Sequence, residues 1–366
     1  MDKTYQRWAL GFLALLLAAL ALCAGIVYIV DPCLYYRMPE KWKPSFFSER
    51  YQAAGLVKNV EADTVLLGSS MVANIRASWV EESFGGSALR VTVPDGYFSE
   101  FDQIVNLLFR SQSPKRLIFA LDLNILIRDE SGLTNAMPDY LYDENPINDL
   151  RYLLNKDTLY YSFYVMLANH QGWGQDLDDG FIWNDGTVWE RYEALRNYSR
   201  SPQSEEFLPE DAYSEATTSN LKVIKSWLEA HKDTEFDIYL SPYSILAWDR
   251  YTRQGDLEAR LKALSQACTE LTPYSNVKFY APLLDETLIT NLDNYCDYVH
   301  HSGEAGRQVL QAIANEENRI TPETAEETIK TWQTYVKTYN YDSIWDQPFL
   351  DRWLSTHESP PDWWEW

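Results

Sequence analysis

The apolar residues of the chain form one long uninterrupted run and a series of short ones. Ala9 to Val30 is a run of 22 residues without a charged side chain. A helix rises 1.5 Å per residue, so this run measures about 33 Å, close to the ~30 Å hydrocarbon thickness of a bilayer. It predicts one membrane-spanning helix, and no second stretch of the sequence resembles it.

This apolar run fits either an uncleaved signal anchor or a cleaved signal peptide. A signal peptide has an apolar core of about 7–15 residues before a small-x-small cleavage site. Ala19-Leu20-Ala21 offers such a site, but the apolar run continues for nine residues beyond it, which favours the anchor. Lys3 and Arg7 flank the N-terminal side. The positive-inside rule therefore predicts a cytoplasmic N-terminus and an extracytoplasmic remainder.

Short apolar runs alternate with helical patterns from about residue 61 onward. Five of the runs predict buried strands, over Asp63–Gly68, Leu89–Val93, Arg116–Asp122, Phe236–Ser241 and Val277–Ala281. Helical spacing of apolar residues follows over Phe101–Phe109, Asn220–His231, Leu257–Leu271 and from Gly303 onward. Because parallel strands need crossovers that cover both faces of a sheet, this alternation predicts an α/β fold with a parallel sheet.

The interval 129–219 lacks this alternation and predicts a helical and loop-rich insertion, with 146–168 partly helical. Ligands of open α/β sheets bind beyond the carboxyl ends of the strands, so an insertion there is placed to roof a site. Its residues Trp173, Trp183 and Trp189 can stack on sugar rings or fill a core. The predicted organisation is an anchor over 1–30, a membrane-proximal linker over 31–60, an α/β domain over 61–320 and an acidic, Trp-rich extension over 321–366.

Charge and cysteine usage narrow the class of protein. The chain has 31 Lys+Arg against 54 Asp+Glu, a net charge of −23, which argues against nucleic acid as a partner. Residues 1–60 hold seven basic and four acidic side chains, a balance of 7 − 4 = +3, so the remainder carries −26. The positive balance surrounds the span, where anionic lipid headgroups are met.

The four cysteines lack zinc-type spacing, and we expect neither a metal nor a cofactor.

Two short motifs carry groups suited to nucleophilic catalysis. Gly68-Ser69-Ser70 follows the first predicted strand, where a hydroxyl stands at the carboxyl edge of the sheet beside backbone N–H groups that can face an oxyanion. Asp297 precedes His300 by three residues, a spacing at which a carboxylate can hold imidazole Nδ1 and leave Nε2 free to deprotonate a serine. Each motif also has a structural explanation: an N-capped turn for the first, and a surface pair of His300 and His301 for the second.

Together the two motifs resemble those of the SGNH (GDSL-like) hydrolase family, over roughly residues 61–315. The resemblance implies a flavodoxin-like three-layer α/β/α sandwich with a five-stranded parallel sheet. It also implies a catalytic triad of Ser70, His300 and Asp297.

The resemblance further implies an oxyanion hole built from the N–H groups of Ser70 and Gly96 and from an Asn side chain. Asp122 stands where the family has that Asn, and Asn124 can supply the amide if the loop is shifted by two residues. Asn74, Asp122 and Tyr243 are the implied substrate-binding residues.

More narrowly, the chain resembles membrane-anchored Gram-positive proteins of this superfamily that accompany cell-envelope polysaccharide genes, and it is similar in arrangement to proteins that transfer D-alanine to teichoic acid. Further matches are Asp31-Pro32, Arg50–Gly55, Asn145-Pro146, Pro242-Tyr243-Ser244 and Asn294-Tyr295. The resemblance implies a serine esterase or O-acyltransferase acting on cell-envelope glycans, with membrane acyl-donor or polysaccharide-assembly proteins as partners. A non-catalytic scaffold of the same fold is the alternative, which the substituted Asn position favours.

Overall fold

The computed structural model describes residues 3–133, 137–183, 186–361 and 364. The chain divides into two units. Unit 1 comprises Met1–Glu61, Gln103–Ser113 and Thr134–Phe181. Unit 2 comprises Ala62–Asp102, Pro114–Leu133 and Ile182–Trp366. The insertion predicted over 129–219 is therefore shared between the units, and the domain boundaries taken from the sequence stay a prediction.

Six strands and fifteen α-helices, with seven short 3-10 turns, form the regular structure of the described residues. The strands are β1 (Thr64–Gly68), β2 (Ala88–Thr92), β3 (Arg116–Leu121), β4 (Glu235–Leu240), β5 (Val277–Tyr280) and β6 (Arg319–Ile320). The helices are α1 (Lys3–Val30), α2 (Glu49–Asn59), α3 (Ala77–Phe84), α4 (Phe98–Ser111), α5 (Leu123–Leu126), α6 (Leu150–Leu153), α7 (Lys156–Gln171), α8 (Arg191–Arg196), α9 (Ser214–Ala230), α10 (Ile245–Gln254), α11 (Leu257–Leu271), α12 (Glu286–Thr290), α13 (Gly303–Ala314), α14 (Ala325–Thr338) and α15 (Gln347–Leu354).

Unit 2 contains a single mostly parallel sheet with the strand order β2-β1-β3-β4-β5-β6. The first five strands pair in parallel, and β6 pairs antiparallel with β5. The predicted α/β class is confirmed, and all five predicted strands lie within one residue of their expected bounds. The sheet nevertheless has six strands rather than five, because β6 is a two-residue edge strand without an apolar run to signal it.

The five parallel strands of unit 2 are buried along most of their length, which explains why they form nearly continuous apolar runs rather than alternating ones. All five residues of β1 are buried. On one face of the sheet, Leu66 and Ile118 pack with Val309 and Leu310 of α13. The last predicted helix thus closes the core against the strand that leads into the first motif.

A cluster of aromatic rings fills another part of the unit 2 core. The Phe119 ring of β3 lies 5.4 Å from Phe101, 6.2 Å from Phe98 and 5.5 Å from Trp227, all in edge-on geometry. The Trp227 indole Nε1 donates a hydrogen bond to Asp102 over 2.8 Å, so this large ring is buried with its polar atom paired.

Unit 1 contains α1, the one helix in the described part of the chain that is long and apolar enough to cross a membrane. Its residues 3–22 are exposed, and from Cys23 onward one side of the helix is buried in the unit while Tyr28 and Ile29 stay exposed. Val27 and Val30 are buried there. The predicted apolar helix is confirmed, and its orientation across a membrane remains a prediction.

Asp31 organises the turn that follows α1. Its carboxylate accepts the backbone N–H of Tyr36 over 2.7 Å and that of Arg37 over 3.0 Å. The Tyr152 hydroxyl donates to the same carboxylate over 2.8 Å and accepts the N–H of Cys33 over 3.1 Å. The Asp31-Pro32 match in the sequence therefore marks a structural junction between the end of α1 and α6.

The match over Arg50–Gly55 lies on α2 and has a structural explanation as well. The buried Gln52 amide donates to the carbonyls of Pro32 and Ser45 over 3.2 and 2.9 Å. A Cβ on Gly55 would lie 2.2 Å from the carbonyl oxygen of Cys33, so a side chain there would push α2 away from the turn. These residues hold residues 31–60 together as a folded segment.

Candidate functional site

The first motif forms the turn at the carboxyl end of β1. Gly68 ends the strand where a Cβ would lie 2.8 Å from the side chains of Ala120 and Val72, so only glycine fits. The buried Ser69 caps the next turn, its Oγ accepting the N–H of Met71 over 3.2 Å. The N-capped-turn explanation is thus correct for Ser69, which leaves the next hydroxyl available for chemistry.

Ser70, His300 and Asp297 form a continuous hydrogen-bonded relay. Ser70 Oγ lies 2.9 Å from His300 Nε2, and His300 Nδ1 lies 2.7 Å from Asp297 Oδ2. The other carboxylate oxygen of Asp297 accepts the backbone N–H groups of Val299 over 2.8 Å and of His300 over 2.7 Å. Asp297 therefore fixes the backbone of His300 through one carboxylate oxygen and the orientation of its imidazole ring through the other.

The surroundings of Asp297 keep its carboxyl group ionised. Burial opposes the charged form, but the hydrogen bonds from the His300 ring and from the backbone of His300 and Val299 outweigh it. They hold the pKa of Asp297 below its usual range. An ionised carboxylate at Nδ1 fixes the tautomer whose Nε2 can accept a proton, and it stabilises the imidazolium that results.

His301 points away from the relay and into the core. It is 3% exposed, and its Nδ1–H donates to the carbonyl oxygen of Ser302 over 2.9 Å. Burial lowers the pKa of His301 to about 4. The sequence left open a surface pair of His300 and His301. In the structure the first is half-buried at the relay and the second is a buried neutral ring.

Five of the predicted site residues line one cavity of about 400 Å³ in unit 2. They are Ser70, His300, Asp122, Asn124 and Tyr243.

Two further predicted residues, Asn74 and Gly96, have packing contacts. Asn74 Oδ1 accepts the N–H of Trp183 over 2.9 Å and so positions that residue. A Cβ on Gly96 would lie 2.8 Å from the Phe101 ring, so this glycine permits close packing against α4. In the same turn, Pro94 and Asp95 line the cavity.

The Asn124 side chain is held with its amide group oriented. Its Oδ1 accepts hydrogen bonds from the Tyr251 hydroxyl over 3.0 Å and from Arg260 Nη1 over 2.7 Å. With the oxygen occupied by two donors, the NH₂ group is the end of the amide that can donate to a ligand in the cavity.

Asp122 lies at the end of β3, on the floor of the same cavity, and is 3% exposed. It accepts a hydrogen bond from Ser69 Oγ. Burial raises the pKa of Asp122, and the nearby Ser241, Ser69, His300 and Tyr243 only partly oppose this rise. A raised pKa increases the share of the neutral acid, the form that can donate a hydrogen bond instead of repelling an oxyanion.

Sequence reasoning did not identify Arg128 as part of the site. This residue lines the cavity, and its Nη1 lies 2.7 Å from Asp95 Oδ1. Asp95 itself has a left-handed φ of 52°, so the ion pair braces a strained turn. The one available signal was a lone basic residue four positions after Asn124 in a chain of strong negative charge.

Of the tryptophans singled out in the insertion, Trp183 reaches the relay. Its ring centroid lies 4.8 Å from that of His300, and it stacks at 6.3 Å on Trp189. Trp173 belongs to unit 1 and is exposed. The part of the insertion that carries Trp183 therefore does border the site.

No group of three or more His, Cys, Asp or Glu side chains suited to a metal ion occurs in the described ranges of the chain. No protein-family model matches the sequence, and no curated protein matches it. Fold and site together define an α/β protein with a Ser-His-Asp relay at the carboxyl edge of its sheet.

The burial of His301 predicts a loss of stability in mild acid. In the unfolded chain this side chain binds a proton below its ordinary pKa of 6.5, but in the folded protein only near pH 4. Between these values the unfolded state holds more protons. The free energy of unfolding therefore decreases as the pH is lowered from 6.5 to 4, in total by about 3 kcal/mol.

His301→Asn keeps a donor for the Ser302 carbonyl and should lack this part of the pH dependence. Denaturant unfolding of the detergent-solubilised chain and of the variant, across the interval from pH 6.5 to 4, measures the difference. A variant as sensitive to pH as the parent would contradict the neutral, buried state of His301.

Proposed function

We propose that the chain is a membrane-anchored, extracytoplasmic serine esterase or O-acyltransferase of the SGNH type, acting on acyl esters of cell-envelope glycans. The observation that carries the proposal is the relay from Ser70 Oγ to His300 Nε2 at 2.9 Å and from His300 Nδ1 to Asp297 at 2.7 Å. At such distances a general base takes the proton of a serine nucleophile.

In the first half-reaction Ser70 Oγ attacks the carbonyl carbon of the ester while His300 Nε2 accepts the hydroxyl proton. The tetrahedral intermediate then loses the sugar oxygen, to which His300 returns the proton, and the acyl group remains on Ser70. Asp297 stabilises the transient imidazolium through Nδ1–H.

In the second half-reaction an acceptor hydroxyl gives its proton to His300 Nε2 and attacks the acyl carbon. The bond from that carbon to Ser70 Oγ then breaks, and His300 returns the proton to Ser70 Oγ. Water as the acceptor gives deacylation, and a sugar hydroxyl gives acyl transfer. The exposed part of the Trp183 ring, next to His300, offers a flat apolar surface on which a sugar ring of the glycan can stack.

The oxyanion of both tetrahedral intermediates needs hydrogen-bond donors. We assign these to the backbone N–H of Ser70, to the turn at Asp95 and Gly96, and to the Asn124 amide, whose oxygen is already fixed by two donors. The neutral form of Asp122, whose share the raised pKa increases, is a further donor in this set.

The strand order supports the family assignment. The five parallel strands run in the order 2-1-3-4-5, which is the flavodoxin-like order, and β6 extends it as an antiparallel edge. We propose that the helices complete a three-layer α/β/α sandwich of the SGNH type.

The location follows from α1 and from the charges around it. Lys3 and Arg7 lie before the apolar run and favour a cytoplasmic N-terminus, with the chain beyond α1 on the extracytoplasmic side. The partners in this proposal are the bilayer through residues 9–30, a cell-envelope glycan, and membrane proteins that supply acyl groups or assemble polysaccharide.

The second candidate function is a non-catalytic scaffold in a polysaccharide or teichoic-acid assembly complex. Asp122 favours it, because an ionised carboxylate in place of the family's Asn repels an oxyanion. The raised pKa of Asp122 favours the enzyme, because it increases the fraction of the neutral acid, which does not repel an oxyanion.

Asp122→Asn separates the two functions. The amide supplies a permanent donor and its oxygen can still accept from Ser69, so kcat/KM for p-nitrophenyl acetate should rise, by up to about 10²-fold, the effect of one oxyanion donor. Asp122→Leu, of similar volume but without polar atoms, should give no rise. An equal lack of turnover in the parent and both variants would favour the scaffold.

Labelling by a fluorophosphonate probe tests the nucleophile directly. The detergent-solubilised chain should be labelled on Ser70, and Ser70→Ala should not be labelled. Ser131→Ala, at an exposed turn of the same unit, is the control and should be labelled as the parent is. Equal labelling of the parent and Ser70→Ala, or none in any protein, would contradict the enzyme proposal.

A further inference from the structure

Helix α7 exposes the kind of residue that a helix in water buries. Its buried positions carry small or polar side chains, namely Thr158, Ser162, Val165 and Ala168. Between residues 158 and 168 its exposed positions carry large apolar and aromatic ones, namely Tyr160, Phe163, Tyr164, Met166 and Leu167. Phe163 and Leu167 are 52% and 49% exposed. The pattern is the inverse of that of an amphipathic helix on a water-soluble domain.

The buried hydroxyl groups of α7 are satisfied within the unit. Thr158 Oγ1 donates to the carbonyl oxygen of Tyr152 over 2.6 Å, and Ser162 Oγ donates to that of Thr158 over 2.7 Å. No Asp, Glu, Lys or Arg occurs from residue 158 to residue 171. The backbone of the helix and its buried hydroxyls therefore need no water to pair them, which is the condition for a segment in contact with lipid.

The neighbour of α7 within unit 1 is the candidate membrane span. Both α6 and α7 pack against α1. The segment around α6 adds more exposed apolar side chains at Ile147, Leu150 and Leu154. Unit 1 therefore exposes apolar side chains on α1, on the neighbouring α7 and in the segment around α6.

The depth of this contact follows from the length of α1. If hydrocarbon begins at Ala9, after Arg7 and the interfacial Trp8, its ~30 Å thickness extends over about 20 residues, to Tyr28. The embedded part of α1 starts at Cys23, so about 9 Å of it lies inside the hydrocarbon. Sliding α1 outward would draw Arg7 into the hydrocarbon, which costs free energy.

The residues at the C-terminal end of α1 include the types found at the headgroup region of a membrane. A cavity of about 520 Å³ there is lined by Ile29 and Val30, by the basic side chains of Arg37 and Lys41, by the acidic ones of Asp31 and Glu40, and by Trp42. Basic and tryptophan side chains are enriched at the interface between hydrocarbon and water.

We propose that α7 lies in the outer leaflet beside α1, with its face of Tyr160, Phe163, Tyr164, Met166 and Leu167 in contact with lipid. Unit 1 is then bound to the bilayer by the exposed face of α7 as well as by the membrane-spanning helix α1. This inference rests on α1 spanning the membrane and is independent of any chemistry at Ser70.

Spin-label accessibility in nanodiscs of phosphatidylglycerol and phosphatidylcholine tests this contact with the full-length chain. Phe163→Cys and Leu167→Cys place the label on the exposed face, where no core packing is lost. Glu144→Cys is the matched control in the same unit, at a side chain that is 80% exposed. The parent, labelled in parallel, gives the background from its own cysteines, which are buried or half-buried.

At 163 and 167 collisions with oxygen should exceed those with a water-soluble nickel chelate, and at 144 the order should be reversed. A nickel preference at 163 and 167 would overturn the proposal, because the face would then lie in water. Low accessibility to both reagents would also overturn it, because the face would then be covered by a second copy of the chain. Oxygen preference in nanodiscs that disappears in native membranes would assign the face to a membrane protein instead of lipid.

Discussion

The parallel sheet of unit 2 is the constraint on which the site depends. Parallel strands bring their carboxyl ends to one edge, so residues far apart in sequence meet there. Ser70 follows β1, Asp95 follows β2, Asp122 and Asn124 follow β3, and Tyr243 follows β4, and all five line the same cavity. His300 reaches this edge on the loop that precedes α13, and Asp297 in that loop holds its ring.

Burial assigns different roles to chemically identical neighbours. Ser69 and Ser70 are adjacent, yet Ser69 is 2% exposed and committed to a cap and to Asp122, whereas Ser70 faces His300. The two adjacent histidines differ in the same way. The His300 ring faces Ser70, whereas the His301 ring is buried in the core, which lowers its pKa. Two residues of each type thus contribute one reactive group and one structural group.

Sequence reasoning succeeded where a feature is local and failed where it depends on packing. Apolar runs marked the five long strands because a strand buried on both faces has few polar positions, whereas the two-residue β6 has no such run. The spacing of Asp297 and His300 anticipated a contact made within one loop. Arg128 was missed because its role depends on the turn at Asp95 of another strand, which no local pattern encodes. The sequence likewise predicted only a partly helical stretch over 146–168, without the exposed apolar face of α7.

The central claim is that Ser70 becomes acylated through His300. Rapid mixing of the solubilised chain with p-nitrophenyl acetate, followed by acid quenching and peptide mapping, measures this most directly. The proposed mechanism predicts a burst of nitrophenol with the acetyl group on the peptide that contains Ser70. Nitrophenol release without an acetylated Ser70, or an acetyl group on another side chain alone, would contradict it.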